Sequence, residues 1–134
     1  MIYRLRIFIY YIIIYIYMAD LVACLSTGKG TWVEVAKLIN NEKWDSVYLV
    51  TNDFGKEKFS ADKEVKFVLV DVNKGMEAMK NTIVEALKEK VSGDVAVNFV
   101  SGSGKEHMAL FSALMTMGVG IRIVAAADSE VKEL

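Results

Sequence analysis

The chain has no proline, one cysteine (Cys24) and one histidine (His107) in 134 residues. Without proline, no segment is barred from a helix or strand by a missing backbone donor, and breaks fall to glycine and polar residues. A single cysteine excludes an intrachain disulfide, which suits a reducing compartment, and a cytoplasmic location is expected. Cys24 stands in an apolar run, where a thiol packs as a small hydrophobe. One histidine and one cysteine cannot make a zinc cluster, so neither a metal nor another cofactor is expected. Charge of one sign is lacking too. Sixteen Lys and Arg oppose seventeen Asp and Glu, for a net charge of −1. The chain therefore has no general attraction for duplex nucleic acid, and any anion site must be local.

What is abundant is apolar sequence, 54% of the chain. Residues 1–18 read MIYRLRIFIYYIIIYIYM, with two arginines ahead of a run from Ile7 to Met18. That run is short of the ~20 apolar residues of a membrane helix, and no small-residue cleavage site follows. The first strand pattern, ADLVACLS, begins at once. The favoured reading places the natural start at Met18 and makes the residues before it an upstream extension, with a membrane unlikely as partner. The alternatives are a membrane anchor and an apolar segment docked on a partner chain.

Residues 19–134 read as one domain. LVACLS (21–26), SVYLVT (46–51), VKFVLVDV (65–72), DVAVNFV (94–100) and IRIVAAA (121–127) are short and rich in β-branched residues, as strands buried on both faces require. In 74–91, Met76, Met79, Ile83, Leu87 and Val91 recur at helical steps, and 31–42 carries Trp32, Val35, Ala36 and Ile39 likewise. Segment 104–117 is apolar nearly throughout, which predicts a largely buried helix. The polar stretch 52–64 predicts a short helix or a loop. This alternation predicts a Rossmann-like three-layer α/β domain with a mainly parallel sheet of order 3-2-1-4-5.

Two loops match each other. STGKGTWVE (26–34) follows the first strand and SGSGKEHMA (101–109) follows the fourth; each has two glycines and one lysine and opens a helix. Each carries a capping-box pattern, Thr31 with Glu34 and Ser103 with Glu106. Free N–H groups and the dipole of a helix N-terminus favour an anion, and glycines let the backbone approach it. Strands one and four flank the topological switch point, so the loops should converge at the ligand crevice. This makes Ser26, Thr27, Gly28, Lys29, Gly30, Thr31, Ser101, Gly102, Ser103, Gly104 and Lys105 candidate ligand-binding residues. The plainer reading is that such turns need glycine anyway and that the lysines are solvated. Neither loop is a P-loop or a dinucleotide fingerprint: Glu106 follows Gly104-Lys105, and His107 and Val33 stand where a third glycine is required. Asp53, near the end of strand two, occupies a ribose-binding position, but a solvated turn residue is the simpler reading.

The stretch DVAVNFVSGSGKEHMALFSALMTMGVGIRIVAA resembles the second signature of CARF domains, the CRISPR-associated Rossmann-fold sensors. Asn98, Gly102, Ser103, Gly104 and Lys105 stand at the positions of its strand and glycine loop, and LVACLSTGKGTW, with Ser26, Thr27 and Trp32, is similar to the first signature. The likeness spans about 19–127 and is specific over 94–110. Ser103 departs from it, threonine being commoner there. The resemblance implies a stand-alone homodimeric module binding cyclic oligoadenylate across its two-fold axis, in type III CRISPR antiviral defence, with Asn98 joining the binding residues. It also implies that some members cleave the ring slowly through a 2′-hydroxyl. In such a ring nuclease Lys105 would stabilise the phosphorane, and Ser26 or Thr27 would orient the ribose. His107 is the only candidate base, and a structural or solvated histidine is the simpler reading. The alternatives are a non-catalytic α/β domain binding a mononucleotide or other phosphate ligand, and a membrane-anchored assembly module.

Overall fold

The computed structural model describes residues 4–7, 9 and 19–134. The N-terminal extension therefore lies largely outside the described residues; of it, Leu5, Ile7 and Ile9 are exposed. Among the described residues, no helix is long and apolar enough to cross a membrane.

Among the described residues, six strands form one sheet: β1 (Asp20–Cys24), β2 (Val47–Thr51), β3 (Lys66–Leu69), β4 (Asp94–Asn98), β5 (Gly120–Ala127) and β6 (Glu130–Glu133). Their order is β3-β2-β1-β4-β5-β6, parallel except for the last pair. The fold is thus α/β and Rossmann-like, with the 3-2-1-4-5 order that the strand–helix alternation predicts. β1 lies centrally, with Ala23 opposite Leu49 on one side and Asn98 on the other. Its residues Leu21–Cys24 are fully buried, so it must be apolar on both faces.

Among the described residues, four helices cover the sheet: α1 (Trp32–Asn41), α2 (Asp53–Lys58), α3 (Met76–Leu87) and α4 (Gly104–Met117). Leu38 and Ile39 of α1 pack on Leu21, Ala23 and Leu49 in one core layer. Met79, Ile83 and Leu87 of α3 pack with Leu110 and Leu114 of α4 and with Val22 and Val50 in the other.

Two local expectations are corrected, and one strand is added to the expected five. α4 is not largely buried. Ala109, Leu110, Ala113 and Leu114 make a buried stripe, whereas Met108 and Met115 are 61% and 62% exposed and Phe111 is 43% exposed. Thr31 does not cap α1. A 3-10 turn over Lys29–Thr31 runs into the helix, so Thr31 has helical backbone angles and makes no side-chain cap. An N-cap hydroxyl needs extended backbone to reach the first turn. Lastly, β6 follows β5 through a two-residue connection at Asp128 and Ser129, with Asp128 left-handed at φ 46°.

Candidate functional site

The two glycine loops meet at the carboxyl ends of β1 and β4. Ser101, 1% exposed, is the joint. Its Oγ accepts the backbone N–H of Ser26 at 2.8 Å and donates to Ser26 Oγ at 3.2 Å. Ser26 Oγ donates in turn to the Gly28 carbonyl at 2.6 Å, holding the first loop in a tight turn. The indole N–H of Trp32 donates to Ser26 O at 3.0 Å, tying that loop to the start of α1.

Asn98, the last residue of β4, is buried. Its amide donates to Val124 O at 2.8 Å and its Oδ1 accepts the Val100 N–H at 3.0 Å. The side chain therefore fixes β4 against β5 and starts the turn into the second loop. Gly102 has φ +99°, a left-handed conformation, and a Cβ there would stand 3.1 Å from both Cys24 Cβ and His107 Nε2. His107 Nε2 lies 2.7 Å from Ser101 O. A carbonyl only accepts, so this nitrogen carries the proton. The ring also packs edge-on against Phe99 at 5.2 Å. His107 thus braces the second loop, and among the described residues it forms no hydrogen bond with Ser26. Among the described residues no base activates the Ser26 hydroxyl.

The lysines are held apart by different partners. Lys29 Nζ lies 5.9 Å from the Trp32 ring centroid and 6.0 Å from that of Phe54, on the side of α1 and α2. Lys105 Nζ donates to the carbonyl of Val72, in the connection from β3 to α3. Thr27, Gly28 and Gly30 are exposed along the first loop, and Thr31 closes its 3-10 turn. At the second loop, Gly104 opens α4 and Ser103 forms the expected capping box with Glu106, whose Oε2 accepts the Ser103 N–H at 2.9 Å and the Ser103 hydroxyl. A carboxylate of the chain itself therefore sits at the N-terminus of α4, where an anion is most favoured.

A crevice of 260 Å³ opens between these loops and the ends of β2 and β3. Thr27, Ser103 and Glu106 line one side, and Thr51, Asn52 and Val72 line another. A second depression, of 430 Å³, adjoins it through Asn52, Val70 and Val72. Glu106 enters the twin-loop pattern only as a capping residue, and Thr51, Asn52, Val70 and Val72 do not enter it. The signal that could have found them is the general one that residues ending parallel strands face the crevice. Asp53 opens α2 and is exposed, while Asn52 caps that helix by accepting the Gly55 N–H at 3.0 Å.

Burial pushes the Cys24 thiol up to about 12, with the Glu106 charge adding to it, so the thiol is inert at neutral pH. Among the described residues no group of three or more His, Cys, Asp or Glu is placed to hold a metal. An apolar cavity of 50 Å³ at the opposite end of the sheet, between Ala19, Trp44, Ala96 and Val124, is bordered by the paired Arg122 and Glu133. It has room for little more than water. No family model matches the chain, and no curated protein matches it.

Proposed function

We propose that the protein is a binding module for a phosphate-bearing nucleotide ligand, held at the switch point between β1 and β4. One observation carries this reading: the buried Ser101 bonds both the backbone and the hydroxyl of Ser26, joining two glycine loops beside an open crevice. Such a coupling fixes both loops before a ligand arrives, which lowers the ordering cost of binding. Lys105 sits at the same rim, where its ammonium can turn from a backbone carbonyl to a phosphate.

The finer reading follows the CARF resemblance. The ligand is cyclic oligoadenylate, and two copies of the module share it across a two-fold axis. The exposed stripe of Met108, Phe111 and Met115 on α4 supports a second copy, because a closed isologous contact is the usual way to cover such a stripe. Binding is favoured over ring cleavage, because Ser26, which would orient the ribose, donates to Gly28 O, and His107, the candidate base, is engaged with Ser101 O.

Isothermal titration with cyclic tri-, tetra- and hexa-adenylate, with AMP and inorganic phosphate alongside, tests the proposal. Binding of one ring at a stoichiometry of one per two chains is expected. Binding of AMP alone moves the reading to a mononucleotide module, and no binding of any probe overturns it.

A further inference from the structure

We infer that the outer edge of β6 docks β6 of a second copy of this chain, antiparallel, with Val131 on the two-fold axis. This edge lies outside the crevice, and its partner does not depend on the ligand. β6 ends the sheet, and among the described residues no strand pairs with its outer edge. Glu130 and Lys132 are exposed, and among the described residues neither has an ion-pair partner.

The β5–β6 hairpin decides which backbone groups are free. The Leu134 N–H donates to Ile123 O at 2.9 Å, so Leu134, Lys132 and Glu130 turn their backbone groups towards β5. Val131 and Glu133 turn theirs outward. An antiparallel second copy must set outward residues opposite outward residues, so the axis passes through a residue position. Like charges directly opposite each other are unfavourable. With the axis at Glu130, Lys132 or Glu133, that residue meets its own copy. With the axis at Ser129, Glu130 meets Asp128. Only the axis at Val131 keeps like side-chain charges apart. There Glu130 faces Lys132 of the second copy, and Lys132 faces its Glu130. Val131 lies on the other face of the strand, against the core layer beneath α1, and the two valines extend that layer across the axis. Charges on an edge strand usually block pairing. This strand is its own complement in one register, so its charges select the partner and the register together. The axis stands perpendicular to the sheet, so β1 of the two copies runs in opposite directions and the crevices open at opposite ends. The contact is therefore separate from the two-fold that shares a ring. With four residues a side it is small, and it forms at high concentration.

The test uses the full chain carrying Phe111→Lys and Met115→Lys, which takes the α4 face out of any association. Sedimentation should show its mass rising from one chain towards two as the concentration reaches about 1 mM, where a millimolar contact is half-formed. Glu130→Lys and Lys132→Glu, each added alone, set like charges opposite each other twice and should weaken the association by about tenfold or more. Both changes in one chain exchange the signs and should restore it. The two single variants mixed should pair with each other, one chain of each, because every facing pair is then opposite in charge. A mass that stays at one chain throughout would overturn the inference. So would an association that neither single variant weakens, which would place it on another surface. Single variants that weaken it, with no recovery in the double variant or in the mixture, would overturn the register at Val131. Ring titration reads the ligand site separately, so either result leaves the other standing.

Discussion

Ser101 Oγ accepts the backbone N–H of Ser26 at 2.8 Å, across 75 residues of chain. The hydroxyl is buried and spans the switch point, so the two loops behave as one structure. In Ser101→Ala the Ser26 N–H loses its acceptor in a partly buried place. The expected loss is about 1–3 kcal/mol, the usual cost of an unpaired buried donor. Urea unfolding checks it. A variant as stable as the parent would mean that water replaces the hydroxyl and that the loops are not coupled through it.

Gly102 tests the same joint from the backbone. With φ +99° it holds a conformation in which a side chain is strained, and the added methyl would press on Cys24 and His107. Gly102→Ala should cost more than about 1 kcal/mol. The double variant with His107→Ala should cost less than the sum of the two changes, because one of the two close contacts is gone. Strict additivity in urea unfolding would place the strain elsewhere.

Strand order and both loops were legible because β1, β2 and β4 are buried on both faces and so carry uninterrupted apolar runs. β6 was not, because its residues Glu130, Val131, Lys132 and Glu133 contain one apolar side chain and pair only at the edge with β5. The partial burial of α4 was not legible for a related reason. An apolar sequence reports what the helix could bury, and only the stripe through Leu110 and Leu114 meets the sheet. The crevice was half legible. Its loops have a pattern, whereas Asn52, Val70 and Val72 share a wall only because parallel β2 and β3 end side by side.

Asp20 gives a pH-dependent expectation. Burial raises its carboxyl above the ordinary 3.8, the nearby Asp45 adds to this, and Lys66 and the Ser46 backbone bond oppose it. The folded state therefore holds the proton more tightly than the unfolded one. Stability from this group is greatest below pH 3.8, falls as pH rises through the raised folded value, and stays at the lower level beyond it. Asp20→Asn removes the ionised form and should stabilise the protein at pH 7, by less than about 1 kcal/mol because the site is partly solvated. The gain should vanish below pH 3.8. Thermal unfolding at several pH values shows this, and a gain that persists in acid would assign it to something other than charge.

The exposed face of α4 predicts the oligomeric state. Phe111→Lys with Met115→Lys should convert a dimer to a monomer by light scattering, with a modest loss of monomer stability, because Met115 is largely exposed whereas Phe111 also packs against Phe99. A parent protein that is monomeric at high concentration with ligand present would remove the two-fold reading.

Lys105→Ala should weaken a phosphate ligand more than Lys29→Ala does. Lys105 extends from the first turn of α4, whose backbone is fixed by the capping box, and its ammonium is held by a single carbonyl at the crevice rim. Exchanging that carbonyl for a phosphate gains a charge-assisted bond at small cost. Lys29 already rests against the Trp32 and Phe54 rings and must leave them to reach a ligand. A charge-assisted bond is worth about 1.5–3 kcal/mol, so Lys105→Ala should reduce affinity by about tenfold or more. Lys29→Ala should reduce it by a smaller factor. Titration of both variants against the best-bound cyclic adenylate decides the order. Equal affinity in both variants and the parent would make the lysines solvated side chains of structural turns.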